Sequence, residues 1–394
     1  MLRQGHASTL DCGRVGLPTI PDMTLAQPAL DVLVRGAGAV GLTAALALSR
    51  QGLTVGVLDD PAATRSHDVR AFALNAASVA LLVGLKVWDA LPADARTPVH
   101  EIRVEADKPG AALEFSAWSQ GLAELAWIVD AAELENAMRA AVRFAPHVEL
   151  LTADQPAALQ LLAEGKASAT RERFGVTMQR QAYGQHAIAA RLATDRAHQG
   201  LARQWFRSPD VLALLPLDRP SAGHGLALVW SLLDDEAARL MALPDADFEA
   251  ALAQATGGAA GRLKLVGPRA QWPLSLARAD RTTGPGWALL GDAAHVVHPL
   301  AGQGLNLGLA DVAVLARVLA EREPWRSVGD PKLLARYARE RAAPVWRMGQ
   351  VTDGLLNLFA SPWSVAREFR CRGLAAVDRL PPLKRWLTTQ ALAG

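Results

Sequence analysis

Cysteine is nearly absent. The 394 residues hold two, Cys12 and Cys371, far apart and without a Cys-x-x-Cys pair. That excludes a disulfide framework and fits a reducing compartment. An excess of one charge is also lacking. The 41 Lys and Arg against 39 Asp and Glu leave a net charge of +2, which gives no argument for nucleic acid. No uninterrupted apolar run reaches the ~18 residues of a membrane helix. Residues 1–29 lack the apolar middle of a signal peptide. They are polar, hold Pro18, Pro21 and Pro28, and include a second methionine, Met23. They read as a disordered extension, or as a start assigned upstream of the true one. No internal repeat occurs. No His/Cys/Asp spacing forms a metal cluster, because His295 and His298 are three apart with no third ligand in view. Tyrosine is scarce, 2 against 11 tryptophans, and the tryptophans are assigned to packing.

What is there describes a globular chain. Apolar residues make up 51% and charged residues 20%, and the length suffices for two domains and a sizeable core. The first strong signal is DVLVRGAGAVGLTAALALSRQGLTVGVLDD, Asp31 to Asp60. Val32–Val34 reads as a strand. Gly36, Gly38 and Gly41 form G-x-G-x-x-G, with Ala39 and Val40 between the last two, and an apolar helix pattern follows. Leu53–Leu58 reads as a second strand, closed by Asp59. This is a dinucleotide-binding βαβ unit. Gly36 allows the tight turn, Gly38 admits the pyrophosphate to the backbone, and Gly41 lets helix and strand pack closely. Asp59 stands about 20 residues on, where a carboxylate holds a ribose hydroxyl pair.

The second signal lies far downstream, at GDAAHVVHPLAGQGLNLGLAD, Gly291 to Asp311. A short strand pattern, Trp287–Leu290, enters it. A loop with Pro299, Gly302 and Gly304 follows, and then a long apolar helix from Leu305 to about Glu321. Strand, glycine loop and helix start would aim backbone N–H groups, and a positive dipole end, at a ligand. Asp292 could hold a ligand hydroxyl. The bland alternative is a tight connection that uses glycine for turns.

Between these signals the period changes. Asp68–Trp88 reads as one helical stretch, with Arg70 as a cation for a cofactor phosphate or as a solvated arginine. Val99–Val104 and Ala112–Phe115 read as strands, Trp127–Asp130 as a strand, and Ala131–Phe144 as a helix. Leu159–Ala163 reads as a strand. Past Gln185, the runs His186–Leu192, Leu201–Phe206, Val211–Leu217 and Gly225–Leu233 form an antiparallel sheet. Ala237–Ala255 reads as one helix, and Leu263–Val266 and Arg269–Leu276 as strands. Pro331–Arg341 is helical, and 345–394 is an amphipathic helical tail. Trp363, Phe369 and Trp386 sit there among Arg367, Arg370 and Lys384. That mix either docks on a membrane surface or partner, or packs on the chain's own fold.

Three segments, GAGAVGL with its terminal acid, DVRAFAL and GDAAHVVHPLAGQGLNLGLAD, together resemble the single-component FAD aromatic hydroxylases. More narrowly they are similar to the ubiquinone-biosynthesis branch, as are YGQHAIAA, LALLPL and the tail GLAAVDRLPPLKRWLTTQALAG. The resemblance covers Asp31 to Gly394. It implies an α/β fold with a discontinuous Rossmann-like FAD-binding domain (30–100, 124–180 and 281–344), an antiparallel-sheet substrate domain (101–123 and 181–280) and the helical tail. It implies FAD as cofactor and NAD(P)H as co-substrate. Reduced flavin would react with O2 to a C4a-hydroperoxide that hydroxylates an aromatic ring, here a polyprenylated phenol. It further implies a cytoplasmic protein, peripheral at the inner membrane face or in a quinone-synthesis complex. By position, Gly36, Gly38 and Gly41 would face the pyrophosphate, Asp59 the ribose and Arg70 the phosphates. Asp292 would bond the ribityl chain or the pyrophosphate, with Gly291 beside it in the cofactor site. Pro299, Gly302, Gln303, Gly304, Leu305 and Asn306 would lie along the isoalloxazine ring. The family's Asp-Gly pair stands here as Glu164-Gly165, with Ser168 and Arg171 at matching spacing, after a shortened segment at 149–160. His298 and Pro299 are the catalytic candidates, with His186 as another proton carrier. Leu212, Leu214 and Leu215 are candidates for an apolar substrate roof. Two alternatives stay open: a hydroxylase of a small soluble aromatic, and a non-catalytic flavoprotein subunit of a quinone-synthesis complex.

Overall fold

The computed structural model describes residues 30–59, 68–105, 112–297 and 303–360. The expectations for 1–29, His298, Pro299, Gly302 and the tail beyond 360 lie outside the described residues.

The chain opens with β1 (Leu30–Arg35), α1 (Ala39–Ser49) and β2 (Val55–Leu58), then β3 (Ala71–Leu74) and α2 (Ala76–Gly84). Four strands follow: β4 (Arg96–Val99), β5 (Glu101–Glu105), β6 (Ala112–Ser116) and β7 (Ala126–Asp130). Next come α3 (Ala131–Phe144), β8 (Val148–Leu151), β9 (Ala157–Leu162) and the short α4 (Ala169–Arg173). A meander of β10 (Met178–Thr194), β11 (Leu201–Arg207), β12 (Asp210–Leu217) and β13 (Gly225–Leu233) leads to α5 (Asp234–Ala242) and α6 (Asp245–Thr256). The rest is β14 (Leu263–Leu265), β15 (Ala270–Ala279), β16 (Thr283–Gly284), β17 (Trp287–Leu289), β18 (His295–Val296), α7 (Gln303–Ala320) and α8 (Pro331–Ala360).

These strands make three sheets. Five parallel strands, β17-β9-β1-β2-β8, carry β16 antiparallel at one edge. A nine-stranded sheet runs β18-β15-β10-β13-β12-β11-β5-β6, with β14 branching from β10. A small sheet, β3-β7-β4, stands apart from both. The α/β class, Rossmann-like with a second, mainly antiparallel sheet, therefore holds. The parallel strands β1 and β2 are almost entirely buried, as strands covered on both faces must be. α1 is buried nearly all round, and its small residues Ala44, Ala45 and Ala47 let neighbours close on it.

Several elements depart from the sequence reading. Asp68–Trp88 is not one helix. Ala71–Leu74 pairs antiparallel with Trp127–Asp130, and Asn75 then caps α2 by accepting from the Ser78 N–H at 2.8 Å. Val99–Val104 is split at His100, with β4 and β5 in different sheets. The helix expected over 237–255 is two, broken at Leu243-Pro244 because a residue before proline disfavours helix. No separate tail starts at 345, since α8 runs through that point with Pro344 inside it. β18, from the stretch assigned to the cofactor domain, belongs to the nine-stranded sheet. α7 is long and apolar enough to cross a membrane, yet it is largely buried in this fold. Among the tryptophans, Trp88, Trp205, Trp230 and Trp287 are buried, whereas Trp118 and Trp325 are exposed.

Candidate functional site

A cavity of about 1880 Å³ lies between the carboxyl ends of the parallel strands and one face of the nine-stranded sheet. Its first wall is the turn from β1 into α1, lined by Gly36 to Val40. Gly36 has φ +104°, and a Cβ there would stand 2.5 Å from the Ala163 carbonyl. A Cβ on Gly41 would stand 1.9 Å from the Gly36 carbonyl. Gly38 is the N-cap of α1, its missing side chain leaves open space, and no side chain caps the helix. The first N–H groups of α1 therefore need an acceptor that the cavity side can supply, which suits a diphosphate.

Charged groups surround this cradle. Asp59 lines the cavity and receives Arg139 at 3.1 Å, while the same guanidinium bonds the Ala37 carbonyl at 2.6 Å. Arg139 went unnoticed in sequence because it looks like any arginine on the polar face of α3. Arg70 also lines the cavity, paired with Asp68 at 2.7 Å. Arg191 of β10 donates to the Arg70 carbonyl and to Asp130, tying the wide sheet to this loop. Lys166 is a second lining cation that sequence reasoning missed. Arg35, directly before the glycine turn, bonds Gln160 and Asp154 of the shortened 149–160 segment.

Glu164 and Gly165 line the same cavity. Glu164 accepts from Ser168 and Thr170, and Ser168 caps α4 through the Arg171 N–H. Buried Arg171 donates to the Ala293 carbonyl at 3.1 Å. Arg171 thus links the Glu-Gly motif to the 291–293 turn, from 122 residues away.

That turn holds Gly291 and Asp292, of which Asp292 lines the cavity. Burial pushes the Asp292 carboxyl up, against the opposing pull of Lys166, His295 and Arg70. Behind the turn lies a closed ion network on Asp311. Its Oδ2 accepts from the Gly291 N–H at 2.9 Å and from His295 Nε2 at 2.8 Å. Its Oδ1 accepts from Arg341 Nε at 2.6 Å. Burial raises the Asp311 carboxyl, but His295, Arg341 and the Gly291 N–H outweigh that and hold it below the usual range. His295 is thereby a structural partner of Asp311, and no group of metal-ligating residues exists among the described residues.

Gln303, Gly304, Leu305 and Asn306 bring the start of α7 to the cavity. The Asn306 side chain is committed elsewhere. It accepts from Ser78 Oγ at 2.8 Å and from the Asn75 N–H, and donates to the Ala73 carbonyl at 2.8 Å. Only its backbone remains for a ligand.

The opposite wall is the nine-stranded sheet. Val211, Ala213 and Leu215 line the cavity from β12, and Ala189, Val229 and Trp272 from its neighbours. Leu212 and Leu214, expected in this roof beside Leu215, point the other way. They pack with Phe248 and Leu252 under α5 and α6, because successive strand residues face opposite sides. His186 is also removed from the cavity lining, bonded to Asp234 at 2.8 Å.

Comparison with known proteins fits this arrangement. The FAD binding domain family model matches residues 29–160 and 161–352. Ubiquinone hydroxylase UbiL of Rhodospirillum rubrum is 33% identical over 93% of this chain and 90% of that protein. The 3-demethoxyubiquinol 3-hydroxylase of Escherichia coli is 30% identical over 92% of this chain and 98% of that protein. Among solved structures, p-nitrophenol 4-monooxygenase PnpA of Pseudomonas putida shares the fold at TM-score 0.73, with 17% identity over 93% of this chain and 99% of that one. HpxO of Klebsiella pneumoniae, solved with FAD and uric acid, matches at TM-score 0.70, with 19% identity over 93% of this chain and 98% of that one. The uncapped glycine cradle and the two-walled cavity are thus the site of a known class, and the chain belongs to the FAD binding domain family, in its branch of flavin-dependent hydroxylases.

Proposed function

We propose that this monooxygenase hydroxylates the ring of a polyprenylated phenol on the route to ubiquinone, with O2 as co-substrate and NAD(P)H as reductant. One observation carries the reading. A single cavity joins a cradle for FAD to a broad apolar sheet face, in a chain whose full-length relatives carry ubiquinone hydroxylase names. Bound FAD supplies the redox chemistry and the activation of oxygen.

The chain's own residues bind, orient and exclude water. Gly36 makes the turn, the N–H groups at Gly38, Ala39, Val40 and Gly41 would hold the diphosphate, and Arg70 and Lys166 would neutralise it. Asp59, steadied by Arg139, accepts the ribose hydroxyls. Glu164 and Gly165 flank the cofactor while Arg171 braces the turn. Gly291 and Asp292 hold the ribityl chain. The N-terminal end of α7, from Gln303 to Asn306, places a positive dipole where negative charge gathers on the reduced ring. The apolar face keeps water from the reacting centre. The protein would sit in the cytoplasm, peripheral at the inner membrane face or within a quinone-synthesis complex.

The test is a labelled turnover. FAD-loaded protein is reduced anaerobically with NADH or NADPH, then mixed with 18O2 and a prenylated phenol. A product carrying one 18O atom on the ring is expected. No labelled product from any quinone-precursor phenol sinks the hydroxylase reading.

A further inference from the structure

The sheet wall of the cavity is largely apolar, and Ser231 interrupts it. Ser231 stands on β13 two residues after Val229, and both line the cavity. The alternate residues Leu228, Trp230 and Leu232 pack beneath α5 and α6, so the Ser231 side chain leaves from the cavity face. Its strand partners are Ala187 of β10 and Val211 of β12, which offer a hydroxyl nothing to bond. Ser231 is 3% exposed, and its Oγ has no hydrogen-bond partner among the described residues. The small surface it keeps opens on the cavity. A buried hydroxyl left bare costs stability, and alanine or valine, the residues around it, would pack there without that cost. A ligand oxygen in the cavity would remove it.

The rest of the wall restricts what kind of oxygen this is. Arg203 touches the cavity, yet it opposes Leu214 beneath the helices. Its guanidinium therefore leaves from the far side, where Arg103, Glu105 and Glu114 act on it. The other polar residues that the wide sheet gives the cavity, Gln204 and Ser275, are neutral. The lining cations Arg70, Arg139 and Lys166 belong to the cofactor wall. A carboxylate beside Ser231 would thus lie against apolar side chains with no cation on its own wall. A phenol hydroxyl fits better, because it donates and accepts a hydrogen bond just as a serine hydroxyl does.

We infer that Ser231 anchors the substrate ring, its Oγ hydrogen-bonded to the hydroxyl of an uncharged phenol. This rests on the proposed function for the class of ligand, but its test needs no turnover. Dissociation constants are measured on FAD-loaded protein, from perturbation of the flavin absorbance, for three ligands: a prenylated phenol, the same ring without its hydroxyl, and the same phenol carrying a carboxylate. In the natural protein the phenol binds about tenfold more tightly than the bare ring, the effect of one buried neutral hydrogen bond, and more tightly than the carboxylated phenol. Ser231→Ala lowers the phenol's affinity to that of the bare ring and leaves the bare ring's unchanged. Ser231→Thr, which keeps a hydroxyl, keeps the preference. Because Oγ has no partner to lose, Ser231→Ala should hold its flavin content and Tm. Equal affinity for phenol and bare ring in the natural protein, no binding of either, tighter binding of the carboxylated phenol, or a preference that survives in Ser231→Ala overturns the anchor. A lowered Tm with the preference intact overturns it too, in favour of a structural serine. Labelled product from a protein whose preference ignores Ser231 would remove the anchor and leave the hydroxylase. A preference that depends on Ser231, without labelled product, would do the reverse.

Discussion

The two walls of the cavity are built on different principles. The cofactor wall is backbone: an uncapped helix start at Gly38, a turn at Gly36, and the head of α7. Side chains matter there mostly by being absent. The sheet wall is side chain. Its backbone groups are spent on strand pairing, so alternate residues decide what the cavity meets. The first wall has no room for a side chain at Gly36 or Gly41, whereas the second can be resized residue by residue. In the function proposed above, the fixed wall would take the cofactor and the adjustable wall the substrate.

The largest break in this contrast is Gly41→Val. Its Cβ would collide with the Gly36 carbonyl, which cannot move without taking the turn with it. Purified protein should hold no detectable flavin, and wild-type flavin content with a wild-type Tm would refute the backbone account. Asp311→Ala comes next. It strands buried Arg341 and His295 without their acceptor, at a cost of about 4 kcal/mol in denaturant unfolding. Because the folded Asp311 carboxyl lies below its ordinary value of 3.8, its stabilisation is present above that pH and fades as pH falls through the lower folded value. The variant should lack that acid-side loss, and an identical acid limb would count against the network.

Leu214→Ala and Leu215→Ala sharpen the sheet wall. Leu214 is 1% exposed beneath the helices, so its truncation should cost about 3 kcal/mol and leave ligand affinity alone. Leu215→Ala should weaken phenol binding with the smaller stability loss. Equal effects in both assays would erase the two-faced reading. The smallest effect is expected of Asp292→Asn. The carboxyl is raised by burial, so its contribution to flavin-free stability is present below the ordinary value of 3.8 and lost as pH rises through the raised one. At pH 7 the amide should raise the flavin-free Tm by about 2 °C while weakening FAD binding. A fall in both would show that the carboxylate is structural.

The same contrast explains what was legible in the chain. Gly36, Gly38, Gly41 and the Gly291–Asp311 stretch were readable because a turn with little room demands glycine at fixed spacing, and that demand is local. Asn75 was also readable, as an N-cap three residues before Ser78, but the apolar run on both sides masked it. Ala71–Leu74 was read as helix because its strand partner, Trp127–Asp130, lies some fifty residues away. Arg139 and Lys166 carried no signal, since an arginine that braces a cavity-lining acid and one that faces water have the same neighbours in sequence.

Leu212 and Leu215 show a different failure. Three apolar residues in a strand were taken as one face, although alternation already assigns them to two. Ala189, Ala213, Val229 and Ala270 carry no signal in their own segments and come into one row on the cavity wall only through three strand pairings.

By itself, then, the sequence determined the α/β class, the cofactor cradle and the family, because steric demands on a nucleotide-binding turn are met within a few consecutive residues. Tertiary structure alone decided which faces of the wide sheet meet the cavity, and that Asp311 gathers Gly291, His295 and Arg341. Those features depend on register and burial between segments far apart in the chain, and no local pattern encodes either.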